Sequence, residues 1–116
     1  MTLLEEGYLL RIFIGESDKM DGKPLYEWVV IEAKAHGMAG ATVLRGMMGF
    51  GAHSKIIHTF KIERLSEDLP IVIEIVDSKE KIEDFLAHAE SRIKRGMLAR
   101  VEKVQVRVYR GGETGK

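Results

Sequence analysis

The stretch Pro70 to Ile93, PIVIEIVDSKEKIEDFLAHAESRI, runs through two hydrophobic periodicities without a break. Ile71, Ile73 and Ile75 alternate with Val72, Glu74 and Val76, so the spacing predicts a β-strand over 71–76. The period then changes: Ile82, Phe85, Leu86, Ala89 and Ile93 recur at three- and four-residue steps, the stripe of an amphipathic helix. Asp77 with Glu80 three residues on reads as a capping pair for that helix, Ser78 belongs to the same helix start, and Gly96 closes it. Val101 to Tyr109 follows as a last strand, with Val104, Val106 and Val108 alternating against Gln105, Arg107 and Tyr109.

The same order is written once already upstream. In Tyr8 to Ile14, YLLRIFI, the apolar Leu10, Ile12 and Ile14 alternate with Leu9, Arg11 and Phe13, which predicts a strand. Gly15 to Lys23 reads as a turn, and Pro24 suits a first helical position. Tyr26, Val29, Val30, Ala33 and Gly37 then form an inner stripe, Gly37 and Gly40 end the helix, and Ala41 to Met48 reads as a second strand. Strand, helix, strand, twice over, predicts an α+β fold: a ferredoxin-like βαββαβ unit, with both helices on one face of an antiparallel sheet. A long loop separates the second and third strands, and residues 1–116 form one domain.

That sheet has a second face. Leu9, Phe13, Val72, Val76 and Tyr109 are assigned to it together with Arg11, Glu74 and Arg107, a mixture too apolar for free solvent and too charged for a monomer core. An oligomer interface fits it best. Phe13 and Tyr109 alone do not make the aromatic platform of an RNA-binding sheet.

Eighteen basic and eighteen acidic side chains are interspersed and sum to zero formal charge, so no global field favours nucleic acid or an anionic membrane. The absence of cysteine removes disulfides and thiolate chemistry. No stretch approaches the roughly 20 apolar residues of a membrane span, so no membrane insertion is expected and a cytoplasmic protein is the default reading. The four histidines form no evident metal or acid–base set: His36 and His88 fall on separate helices, and His53 and His58 lie in the loop without neighbouring acidic ligands. No serine has a recognisable elbow or base, so no catalytic residue is assigned and the protein is read as a non-enzyme.

Phosphate has better raw material. The segment Gly40 to Lys55, GATVLRGMMGFGAHSK, is dense in glycine where a backbone must bend or admit a close approach. Beyond the second strand, Gly49, Phe50 and Gly51 can aim backbone donors at an anion. Arg45, Lys55, Lys94, Arg95, Arg107 and Arg110 can supply charge-assisted contacts. Neither a Walker motif nor a dinucleotide GxGxxG is present.

With GATVLRGMMGFG followed by a long polar excursion, then LPIVIEIVDS, a helix and a terminal VRVYR strand, the chain resembles the PII-like signalling proteins over Tyr8 to Arg110, in particular the domain-of-unknown-function group related to the nitrogen regulator PII. The resemblance implies a homotrimer with clefts between subunits and an adenine nucleotide (AMP, ADP or ATP) as ligand, with no cofactor required. It implies that Gly49, Phe50 and Gly51 line the cleft and that basic residues of the neighbouring chain reach the phosphates, Arg107 and Arg110 standing near the terminal basic pair. Lys94, Arg95 and Gly96 fall near the family's phosphate-binding loop, and loop 52–69 takes the position that meets effectors and a protein partner. The loop lacks the tyrosine modified in many PII proteins, and the 2-oxoglutarate residues are not evident, so nitrogen sensing is not carried over. Two other readings stand beside it: a trimeric module responsive to a divalent metal, with His53 and His58 as ligands, and a structural trimer without ligand.

Overall fold

The computed structural model of the chain describes residues 2–50, 68–94 and 97–109. Loop 52–69 up to Glu67 lies outside the described residues, as do the candidates Gly51, Lys55, Arg95, Gly96 and Arg110 and the loop histidines His53 and His58.

Alternation of large aliphatics drives the two central strands together. Strand β1 (Thr2–Gly15) pairs antiparallel with β5 (Pro70–Asp77), setting Leu10 opposite Ile75, Ile12 opposite Ile73 and Ile14 opposite Ile71. All six side chains are buried on one face of the sheet. The short edge strand β4 (Thr42–Arg45) lies beyond β5, and β6 (Leu98–Tyr109) lies beyond β1, so the order is β4-β5-β1-β6. This is the ferredoxin-like order expected from the sequence, with helices α1 (Leu25–Ala35) and α2 (Lys79–Arg92) over the buried face. They contribute Leu25, Val29 and Ala33, and Ile82, Phe85 and Ala89, with Ile93 just past the end of α2. No helix of the described residues is long and apolar enough to cross a membrane.

The ends of the elements are set by specific chemistry. After α1 the chain closes a Schellman motif, in which Met38 N–H donates to Ala33 O at 3.1 Å and Gly37 N–H to Lys34 O at 3.0 Å. Gly37 takes φ +74°, a conformation that favours glycine. At α2 the N-cap is Ser78 rather than the expected Asp77: its side chain accepts from Lys81 N–H at 3.3 Å. Asp77 instead joins the two halves of the fold, its Oδ1 accepting from Ser78 N–H at 2.7 Å and its Oδ2 from Ala39 N–H at 2.8 Å. The Ser78 cap bond is long and exposed, so Ser78→Ala should lower the unfolding free energy by only about 0.5–1 kcal/mol, read from urea denaturation.

Four further details differ from the sequence-based expectation. The turn at 15–23 contains a small hairpin, β2 (Lys19–Met20) with β3 (Lys23–Pro24), closed by Asp21 at φ 53° and Gly22 at φ 81°. Pro24 is the residue before α1, at ψ 135°, not its first helical residue. The second strand is shorter than Ala41 to Met48, because its ladder with β5 runs only from Thr42 to Arg45. The last strand is offset in face. Arg107 pairs with Leu4 and Tyr109 with Thr2, the helix-side parity, whereas Leu98, Arg100, Glu102, Val104 and Val106 share the outer face with Leu9, Arg11 and Phe13.

Candidate functional site

Every residue of β4 is exposed, and one edge of this strand has no partner among the described residues. The last bond to β5 runs from Gly46 N–H to Pro70 O at 2.7 Å, and Gly49 and Phe50 lie beyond that ladder. The glycines serve close approach here rather than unusual backbone angles. A Cβ on Gly46 would sit 2.7 Å from Pro70 Cγ, and one on Gly49 would sit 3.1 Å from the same atom, while neither residue has positive φ. Pro70 thus holds the chain as it leaves the sheet, and the side chains that follow face outward: Met47 is 94% exposed, Met48 72% and Phe50 67%. Such a run of large exposed apolar side chains makes this end of the sheet a candidate contact surface.

The same end of the sheet collects the turn after β1 and the entry to β5. Glu16 N–H donates to Leu69 O at 2.8 Å, Ser17 N–H to Asp68 Oδ1 at 3.0 Å and Gly15 N–H to Asp18 Oδ2 at 2.8 Å. Arg45 reaches across to Glu16 at 3.3 Å. Lys94 lies just after α2, close in chain to the start of β6 opposite Phe13, and its ammonium donates to Ser91 O at 3.1 Å. Arg45, Gly49, Phe50 and Lys94 therefore belong to one end of the subunit. Arg107 belongs to the other, opposite Leu4, and at about 3.3 Å per residue the nine steps of β1 from Phe13 to Leu4 span roughly 30 Å. One subunit does not bring Arg107 to the β4 end.

Opposite the helices, the outer face carries Leu9, Phe13, Leu44, Val72, Val76, Val104 and Val106. Gly7 lets two of these side chains close over the strand, since a Cβ there would meet Val106 Cγ2 at 2.7 Å and Val76 Cγ1 at 3.8 Å. Arg11 crosses the middle of this face, its Nε donating to Glu74 at 2.8 Å and its Nη1 to Glu102 at 3.0 Å. The hydrogen bond to Glu74 pushes the guanidinium pKa further up, with the attraction of Glu74 and Glu102 in the same direction and desolvation opposing. Arg100 lies over the Phe13 ring at 5.3 Å. The face is a stripe of apolar side chains around a charge cluster in which Arg11 bridges two carboxylates.

The helix layer holds a constellation that sequence spacing does not reveal. His36 and His88, on separate helices in the sequence, meet with ring centroids 4.5 Å apart. His88 Nε2 lies 2.7 Å from Glu32 Oε1, and His36 Nδ1 lies 2.9 Å from the Glu32 carbonyl oxygen. Glu32 and His36 are one helical turn apart, and that i, i+4 relation was the only sequence signal available.

Comparison with known proteins identifies relatives of the chain. A UPF0166 protein of Aquifex aeolicus (strain VF5) is 42% identical over 98 residues, covering 84% of this chain and 90% of that protein. Among solved structures, CPII of Thiomonas intermedia K12, a PII-like protein, superposes in its complex with ADP and bicarbonate at TM-score 0.65, with 19% identity over 90% of this chain and 91% of that one. In its complex with ADP, AMP and acetate the values are 0.63, 18%, 90% and 91%. At these identities the superpositions establish the shared fold. Residues 7–106 match the family described as DUF190, Uncharacterized ACR, and the chain belongs to that family, built on the ferredoxin-like fold of PII-like proteins.

Proposed function

We propose that this protein is a non-enzymatic PII-like regulator that binds an adenine nucleotide in a cleft between subunits of a cytoplasmic homotrimer, as a single domain that presents loop 52–69 to a protein partner. The observation that carries the reading is the β4 exit. The ladder stops at Gly46, and Gly49 and Phe50 leave an exposed edge strand at the sheet end that also holds Arg45 and Lys94. A related fold, CPII, has been solved with ADP and AMP. In this reading Gly49, Phe50 and Gly51 line the cleft, and Arg45, Lys55, Lys94, Arg95 and Gly96 surround the phosphates. The roughly 30 Å between Arg107 and the β4 end supports a cleft completed by a neighbour, with Arg107 and Arg110 delivered from the adjoining subunit. The apolar outer face with its Arg11 cluster supports the trimer.

Nucleotide acts by selection between loop states, and its effect is bounded by its differential affinity for them. Calorimetric titration with AMP, ADP and ATP, each with and without bicarbonate, tests the reading; saturable binding of one of them is expected. Gly51→Val should weaken that binding at least about tenfold, equivalent to about 1.4 kcal/mol, with the unfolding midpoint retained. Absence of heat and of thermal stabilisation at millimolar nucleotide would leave the ligand-free structural trimer, whose glycines serve only to pack on Pro70.

A further inference from the structure

We propose that Glu32, His36 and His88 form a binding site for a borderline divalent transition ion of the zinc class. One donor atom from each residue lies within 4.8 Å of the others. Ligands about 2.1 Å from a tetrahedral ion sit about 3.4 Å from one another. The 2.7 Å His88–Glu32 contact is a hydrogen bond from Nε2–H to the carboxylate, so an ion binding there displaces that proton as the pair opens slightly and the wider separations close slightly, shifts within side-chain torsions. Two imidazoles and one carboxylate favour zinc, cobalt or nickel over magnesium or calcium, which take oxygen donors. Three protein ligands leave a position for water.

The surroundings fix these side chains as ligands need to be fixed. A carbonyl oxygen only accepts, so the 2.9 Å contact from His36 Nδ1 to Glu32 O places the proton on Nδ1 and the lone pair of the neutral ring on Nε2. His36 also packs edge-on against the fully buried Phe85, at 5.6 Å between centroids. Trp28 stacks on His88 at 5.8 Å, and Arg92, itself 3.4 Å from Asp21, lies over the Trp28 ring. Glu32 and His88 are about three-quarters covered, while His36 is exposed and gives an ion its way in. The site lies on the helix layer and shares no residue with the proposed nucleotide cleft. A bound ion would tie the end of α1, and with it the Schellman turn leading to β4, to the middle of α2.

Trp28 is the chain's one tryptophan and reports on His88 directly. Full-length protein stripped with EDTA is titrated with nickel or cobalt while Trp28 fluorescence is followed, and with zinc by calorimetry. Expected are quenching that EDTA reverses, about one zinc per chain, and a raised unfolding midpoint. His36→Ala and His88→Ala should each weaken zinc at least about tenfold. The paired His53→Ala, His58→Ala variant should leave affinity and quenching unchanged. His36 is exposed, so its variant folds and keeps the test open even where the His88 variant is impaired. No binding of any of the three ions at millimolar concentration would overturn the assignment. So would unchanged affinity in His36→Ala, or loss of binding in the loop variant alone.

Discussion

Phe85→Ala should lower the unfolding free energy by about 3–5 kcal/mol, the range for truncating a buried aromatic ring. Phe85 is fully buried at the centre of the α2 stripe, between Ile82 and Ala89 and above the isoleucines of β1 and β5. Sheet below and helices above leave little freedom to collapse into the vacated volume, so both the transfer loss and the cavity contribute. Urea denaturation with an unchanged slope checks it; a loss below about 1 kcal/mol would show that the helix layer is looser than its packing implies. Domains of this size are stable by about 5–15 kcal/mol, so the variant would stand near the edge of folding.

The second large effect concerns assembly. Leu9→Asp should convert the proposed trimer into folded monomers, seen by light scattering after size exclusion, with the far-ultraviolet spectrum retained. Leu9 stands on the outer face between Val76 on β5 and Glu102 on β6. An aspartate there faces an existing carboxylate while Arg11 is already engaged by Glu74 and Glu102. Burying such an unpaired charge costs several kcal/mol, repeated in each subunit. The helix-side core is untouched, because Leu9 has the opposite parity to Leu10 and Ile12. A trimer that survives Leu9→Asp would place the contact elsewhere and remove the argument for a cleft completed by Arg107.

The β5–α2 segment was legible because each period belongs to one side of one core: Ile71, Ile73 and Ile75 point inward, and Ile82, Phe85 and Ala89 answer them. The first six residues of β1 were not, since Thr2 to Gly7 lacks alternation and is held by its ladder to β6. The β2–β3 hairpin had its signal in Asp21-Gly22, the dipeptide suited to two successive positive φ values. The parity of β6 could not be read from Val104, Val106 and Val108 alone, because a regular alternation states that two faces exist without stating which is covered. At the β4 exit, glycine density correctly marked a constrained backbone, but the constraint at Gly46 and Gly49 is the Pro70 ring, a contact between distant parts of the chain. The Glu32, His36 and His88 cluster was invisible for a similar reason: it depends on how two helices are turned about their own axes.

One feature of the sheet also bears on how this protein acquires its shape. Strand β1 begins at Thr2 and takes as its neighbour a strand whose last paired residue is Tyr109. Both helices and the strands β2 to β5 lie between these two partners in the chain, so their pairing closes over every other element of the fold. Until β6 docks, β1 carries an open row of amides and carbonyls that can recruit a strand from another unfolded chain. Folding is thus slowed by the separation in chain over which these two strands must meet, and the unpaired side of β1 is where association with another chain competes until they do.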